Sequence, residues 1–278
     1  QQWQTLDQEI TEIKQKFGSK NALGKRRTDF SQPPQDIEIP LEAHIEKEPV
    51  TIICSAKGWI RSIKGYNVNP EDIKYKEGDE AGFILKAYTT DKLLLFATNG
   101  RFYTLGADKI PGGRGFGDPL TLMLDIPAGA DILMLSPYKN DGTEFIVVSS
   151  DGRGFRVHEN DILAQTKSGK QVLSISAPVQ AKACCPIHGD MVAIIGQNRK
   201  LLIYAVSEIP LMTKGKGVKL QTYRDGTFSD LTTFKKEEGI SWKMGSRTRV
   251  ETDLTPWLGR RGQSGRLAPI GFPRTNKF

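Results

Sequence analysis

Long apolar runs are missing from this 278-residue chain, and no stretch approaches the roughly 20 residues that a membrane-spanning helix needs. The first residues also lack the basic region and apolar core of a secretory signal. Both absences set the expectation of a cytosolic chain that makes no contact with a membrane. Cysteine is scarce. The three present, Cys54, Cys184 and Cys185, are odd in number, show no CxxC spacing and include a vicinal pair that cannot readily bridge to itself. Reduced thiols are therefore expected, and a disulfide framework or thiolate zinc site is disfavoured. His44, His158 and His188 have no spacing that suits a metal. No Ser/His/Asp arrangement stands out, nor a carboxylate cluster spaced for Mg²⁺, so no catalytic residue and no metal ligand is assigned. Gly113-Arg114-Gly115-Phe116-Gly117 contains a GxGxG string, but without a strand-then-helix context or a Gly-Lys-Ser/Thr it does not read as a nucleotide-phosphate loop.

What the chain does have is turns and repetition. It carries 28 glycines and 15 prolines, too few for collagen or disorder and enough for many tight turns. One pattern recurs: an apolar run, a turn of Asp/Asn-Gly type, then a basic or aromatic residue. It reads TIICSAKGWIRS around Gly58, LLLFATNGRFYT around Gly100, FIVVSSDGRGFRV around Gly152, VAIIGQNRKLLIY around Arg199 and ISWKMGSRTRV around Arg247. The turn positions lie 42, 52, 47 and 48 residues apart, a period that signals stacked or circular repeats rather than one irregular core.

Each repeat has two halves. The first reads as a hairpin, as at residues 93–105 and 145–157, where the Asn-Gly or Asp-Gly pair predicts a two-residue type I′ turn. The second begins with a glycine- and base-rich loop and continues into another apolar strand. The loops are residues 113–117, 166–170, 213–217 and 259–266, and the strands after them begin at Pro119, Val172, Val218 and Arg266. In the first repeat the corresponding stretch is Tyr75-Lys76-Glu77-Gly78-Asp79-Glu80-Ala81-Gly82, where acids offset the bases, followed by the strand at residues 82–85. Four strands per repeat is the content of a propeller blade, so the chain is expected to be all-β with about five blades.

Charge is uneven. The formal net charge is +7, and residues 241–278 alone hold eight Lys and Arg against two Asp and Glu. A polyanion is expected to meet that end most strongly. Ahead of the repeats, Leu6, Ile10, Ile13 and Phe17 fall on one stripe of an amphipathic helix, with Gly18 as its stop. Gly24-Lys25-Arg26-Arg27 and Gln32-Pro33-Pro34-Gln35 read as a linker. The expected division is therefore residues 1–47, helix and linker, and residues 48–278, the repeat domain.

The hairpin turns, glycine-basic loops and period resemble the C-terminal domain shared by the A subunits of DNA gyrase and topoisomerase IV. The resemblance covers roughly residues 50–278, and Arg26-Arg27-Thr28-Asp29 is similar to the segment that leaves the cleavage core in those subunits. It implies a five-bladed β-pinwheel, a propeller-like disc whose blades exchange strands and whose basic perimeter binds and bends duplex DNA. The gyrase members carry a glutamine- and base-rich glycine box in the first blade for wrapping DNA. Here that place holds the acidic Lys76-Glu77-Gly78-Asp79-Glu80, so the topoisomerase IV branch is the better match. The resemblance also implies two protein partners, the ATPase B subunit together with the rest of the A subunit. It further implies a nucleoid-associated bacterial setting, and Mg²⁺ and ATP for the full enzyme, with no cofactor in this domain.

A glycine-basic loop suits phosphate because glycine lets backbone N–H groups approach an anion while Lys or Arg neutralises it. The expected DNA contacts are Arg260, Arg261 and Arg266 first, then Lys214, Lys216 and Lys219, then Lys167 and Lys170, then Arg114. The hairpin bases Arg101, Arg153, Arg156, Arg199, Lys200, Arg247 and Arg249 form a second tier. For any one base the bland reading is a solvated turn residue, and its return in repeat after repeat argues against that for the set. Trp3, Trp59, Trp242 and Trp257 read as packing residues rather than base-stacking platforms. Two other functions fit the pattern: a gyrase-type wrapping domain with a degenerate box, and a propeller used as a protein-interaction platform.

Overall fold

The computed structural model describes residues 2–28, 45–113 and 115–278. The chain divides into two compact units, Gln1–Ala43 and His44–Phe278. In the first, helix α1 spans Gln2–Phe17, and its stripe of Leu6, Ile10, Ile13 and Phe17 is solvent-exposed. The Gln32-Pro33-Pro34-Gln35 stretch and Arg114 lie outside the described residues.

Eighteen strands make up the second unit among the described residues. Hairpins open each repeat: β1 (Pro49–Ser55) with β2 (Trp59–Lys64), β4 (Lys92–Ala97) with β5 (Arg101–Gly106), and β8 (Glu144–Ser149) with β9 (Arg153–His158). The fourth is β12 (Met191–Gly196) with β13 (Lys200–Ala205), and the fifth β16 (Ile240–Met244) with β17 (Arg247–Glu251). A third strand flanks each of the first four hairpins: β3 (Ala81–Tyr88), β7 (Ile132–Pro137), β11 (Ala181–Pro186) and β15 (Phe228–Phe234).

The fourth strand of each sheet comes from the repeat that follows. β6 (Asp118–Pro119) pairs with β2, β10 (Lys170–Gln171) with β5, β14 (Val218–Lys219) with β9, and β18 (Arg266–Leu267) with β13. All pairings between these strands are antiparallel, giving the sheet orders β3-β1-β2-β6, β10-β5-β4-β7, β11-β8-β9-β14 and β15-β12-β13-β18. Strands β3, β7, β11 and β15 approach one another in succession, so they are the inner strands, and the exchanged strands β6, β10, β14 and β18 form the opposite, outer edges.

This exchange explains the apolar runs. In LLLF, Leu93 and Leu95 pack against the first repeat's Ile52 and Ile60, whereas Leu94 and Phe96 pack against the third repeat's Phe145 and Val147. Successive side chains of a strand point to opposite faces, and here both faces are covered by neighbouring sheets. The same division places Ile146 and Val148 with the fourth repeat, and Ala193 and Ile195 with Trp242 of the fifth.

The structure corrects four expectations. The first four hairpins turn through three residues, not two, since β4 ends at Ala97 and β5 begins at Arg101, and β8 ends at Ser149 and β9 begins at Arg153. One residue of each turn takes a positive φ, Gly58, Gly100, Gly152 and Arg199 at +82°, +74°, +79° and +61°, and each donates its N–H to a carbonyl three residues back, as Gly100 does to Ala97 at 2.9 Å. That is a type I turn closed by a left-handed residue, and the type I′ turn, which needs two such residues, is absent. Second, the strands after the loops are only two residues long, and Pro119 leads into a 3-10 turn at Leu120–Leu122. Third, the acidic first-repeat loop precedes the inner strand β3 and has no earlier sheet to join, so it is not the counterpart of the later loops. Fourth, among the described residues the fifth hairpin stands as a two-stranded sheet rather than a four-stranded one.

Candidate nucleic-acid interface

Strand exchange builds one composite edge per sheet. The residue directly after each turn is Trp59, Arg101, Arg153 or Lys200, and the loop from the next repeat docks beside it. On the second sheet Arg101 lies opposite Gln171, its guanidinium donating to the carbonyls of Ser168 at 3.1 Å and Gly169 at 3.4 Å. On the third, Arg153 lies opposite Lys219 and donates to the carbonyl of Gly217 at 3.4 Å. On the fourth, Lys200 lies opposite Leu267, with Arg266 alongside opposite Leu201. The loop bases are thus brought beside the hairpin bases, with Arg101 and Gln171 some 70 residues apart along the chain. The first sheet differs: its edge carries Asp118 and Pro119 against Ile60 and Trp59, and the Lys76 ammonium sits 3.1 Å from the centre of the Trp59 ring.

One glycine sets each docking. Gly117, Gly169, Gly217 and Gly265 precede the four exchanged strands, with φ of +82°, +72°, +73° and +73°. A Cβ on them would lie 2.1, 2.7, 2.4 and 2.3 Å from the carbonyl oxygens of Ile60, Phe102, Gly154 and Leu201. The next stage repeats too. Leu120, Val172, Leu220 and Ala268 donate their N–H groups to the carbonyls of the turn residues Gly58, Gly100, Gly152 and Arg199. The N–H groups of Gly113, Gly169, Gly215 and Gly262 are also spent on carbonyls of the chain. Gly117, Gly169, Gly217 and Gly265 thus serve close backbone approach within the fold, and the loop N–H groups named here are taken by the chain itself.

Comparison with known proteins agrees with this architecture. A family model described as "DNA gyrase C-terminal domain, beta-propeller" matches residues 143–178 and 190–233. The A subunit of DNA topoisomerase 4 from Rickettsia bellii is 44% identical over 277 residues, covering 99% of this chain and 37% of that protein. The Caulobacter vibrioides protein of the same name is 43% identical over 254 residues, covering 91% and 33%. The solved structure of the E. coli ParC C-terminal domain superposes with a TM-score of 0.70 at 27% identity, over 82% of this chain and 96% of that one. The chain belongs to the family of C-terminal domains of topoisomerase A subunits. It spans about a third of the length of these curated relatives.

Within this C-terminal domain the expected contacts fall into two groups. Lys167, Lys170, Lys214, Lys216, Lys219, Arg260, Arg266 and Arg247 are exposed, and all but Arg247 sit on exchanged strands or the loops leading to them. Arg153 is exposed as well, with the Asp151 carboxylate 3.9 Å away. Others are engaged by neighbouring groups of the chain, Arg249 while remaining exposed. Arg261 donates to the carbonyls of Glu208 and Lys219 at 2.9 and 3.0 Å, and its backbone N–H donates to the Glu208 carboxylate. Arg156 is half-buried between Glu144 at 2.8 Å and the Ile209 carbonyl at 2.7 Å. Arg249 donates to the carbonyl of Ile270 at 2.9 Å, lies 3.5 Å from Glu251 and stands over Trp242. Arg199 is half-buried against the C-terminal segment.

Sequence reasoning passed over Arg61 and Arg274. Arg61 donates to the carbonyls of Gly115 and Lys74, tying the first exchanged loop to residues 65–74. Its signal is positional, two residues after the Trp59 that matches Arg101 and Arg153. Arg274 is exposed in the C-terminal segment, and the charge count of residues 241–278 already contained it. Among the tryptophans, Trp242 is buried and Trp257 donates to the carbonyl of Leu267 at 2.7 Å.

Proposed function

We propose that this domain binds duplex DNA without regard to sequence along the outer edges of its second, third and fourth sheets, bends it, and hands it to the cleavage core of topoisomerase IV. In that role it sets the preference of the ATP-dependent type II enzyme for decatenation or relaxation. The β16–β17 hairpin counts as a fifth, reduced blade. The partners are duplex DNA, the remainder of the A subunit, and the ATPase B subunit, in the bacterial cytoplasm on the nucleoid. Cleavage chemistry, Mg²⁺ and ATP belong to those other parts; this domain supplies no catalytic residue.

The observation that carries the reading is the composite edge: exposed Lys170, Lys219 and Arg266 recur at the outermost strand of three successive sheets, beside Arg101, Arg153 and Lys200. Cations on a regular outer edge can each neutralise a phosphate and release counterions, which positions DNA without reading its bases. At the first sheet the edge residue is Asp118, so the path is expected to run over the other three. No helix of the described residues is long and apolar enough to cross a membrane.

The test is binding to duplexes of unrelated sequence across a salt series. Phosphate contacts give a log–log slope of about −0.9 each. The variant K214E/K216E/K219E is expected to flatten the slope by about three contacts' worth on that scale, equally for every sequence. A slope near zero in the unaltered chain makes a protein-interaction platform the better reading. A strong shift of linking number on binding favours gyrase-type wrapping instead.

A further inference from the structure

The fourth hairpin turn departs from the other three. Where they have glycine, it has Arg199 at φ +61°, a conformation that is strained for a non-glycine residue and persists only where its surroundings impose it. Those surroundings are the end of the chain. The Arg199 guanidinium donates through Nη1 to the carbonyl of Pro273 at 3.1 Å and to Asn276 Oδ1 at 3.2 Å, and through Nη2 to the carbonyl of Phe272 at 3.2 Å. Its own carbonyl accepts the N–H of Ala268 at 2.8 Å. One residue therefore holds both ends of residues 268–276.

Asn276 completes the clasp. It is buried and takes φ +54°, its Nδ2 donates to the Gln197 carbonyl at 3.2 Å, and its carbonyl accepts from Ser229 Oγ at 2.9 Å. Between these anchors the segment meets the fifth hairpin. Trp242 Nε1 donates to the Gly271 carbonyl at 3.2 Å, and the Phe272 ring lies 5.3 Å from both the Trp242 and Phe278 rings. That hairpin has neither an inner nor an exchanged strand of its own among the described residues.

We propose that Arg199 is a positioning residue: by clasping residues 268–276 it fixes the β16–β17 hairpin and the Arg266 edge so that Arg247, Arg266 and Arg274 meet one phosphate path, and it does not touch phosphate itself. This rests on the DNA-binding reading above. Arg199 thereby leaves the set of direct contacts that its position in the repeat suggests.

Three variants of the 278-residue chain test it, R199G, R199K and N276A, each followed by hydrogen exchange without DNA and by duplex binding across a salt series. Glycine is at ease at φ +61°, so R199G is expected to keep β12 and β13 protected while residues 240–251 and 269–278 lose protection by about tenfold or more. R199K keeps the charge but cannot reach three acceptors at once, and N276A removes no charge. Both are expected to loosen the same segments and to flatten the salt slope by about one to two contacts' worth, at about 0.9 each. If R199K binds like the unaltered chain while R199G loses a single contact without any change in exchange, Arg199 is a direct phosphate ligand and the proposal is overturned. Unchanged exchange in all three variants overturns the clasp. An unaltered chain whose binding ignores salt overturns the phosphate role while the exchange data still decide the clasp, so the two readings fail separately.

Discussion

A left-handed glycine pressed against a carbonyl leaves no room for a methyl group, and Gly265 is such a residue, with the Leu201 oxygen 2.3 Å from where a Cβ would stand. The G265A variant is expected to lose about 1–2 kcal/mol from the backbone alone, with a further cost for displacing β18. Chemical unfolding gives the first number. Weakened DNA binding at a denaturant concentration where the fold is intact gives the second effect, because Arg266 follows Gly265 directly. Full stability in G265A refutes the account of docking. Residue identity alone did not reveal this role. Gly265 and Gly262 look alike in sequence, yet a Cβ on Gly262 meets nothing nearer than the Lys219 carbonyl oxygen at 3.9 Å. Arg260 and Arg261 are equally indistinguishable until the fold spends one of them on Glu208 and Lys219 and leaves the other in water.

At the scale of elements, the hairpins were legible, whereas the exchange that the resemblance implied was not assignable to particular strands. Runs such as LLLF and FIVV fix strand type because β-branched and large apolar side chains suit a pleated, buried surface, and residues 93 and 105 do pair across their hairpin. A two-residue strand carries no periodicity, so nothing local says that Lys170-Gln171 belongs to the sheet of Arg101 rather than to its own repeat. The three-residue turns were missed for a related reason: Asn-Gly favours type I′, but placing glycine third in a longer loop satisfies the strand twist as well. The basic edge then follows from the exchange, and it is interrupted at the first sheet by Asp118. Replacing that acid with a base, D118K, extends the edge by one sheet. The salt slope of duplex binding is expected to steepen by about 0.9, with affinity rising at low salt. An unaltered slope places DNA on another surface of the sheets.

On the scale of the whole molecule, stacking sheets on both faces of β4, β8 and β12 buries residues that a single sandwich would leave half in solvent, and the cysteines lie on these layers. Cys54 packs between the first two repeats, Cys184 on the layer between the second and third, and Cys185 on the layer between the third and fourth. Burial, with the Asp79 carboxylate adding to it, pushes the Cys54 thiol up to about 12, and burial pushes Cys185 up to about 11, against an ordinary value of 9.0. Cys184 moves in the same direction, through burial first and the neighbouring Cys185 second. Well below pH 9 these thiols are protonated whether the chain is folded or not, and they leave the folding equilibrium alone. Above it the unfolded chain ionises them and the fold does not, so stability is lost as pH rises from 9 toward 11 and 12. The rate of loss approaches about 1.4 kcal/mol per pH unit for each thiol. Urea unfolding at pH 8, 9 and 10 should therefore steepen with pH in the unaltered chain and less so in C54A and C185A, whatever stability those variants have at pH 8. Iodoacetamide at pH 8 should label the buried Cys54 only as fast as the sheets part, and the half-buried Cys184 and Cys185 sooner. Rapid labelling of Cys54 in the folded chain, or parallel pH profiles for all three proteins, would show that water reaches between the repeats, and that the layers are not the closed packing on which the edge geometry depends.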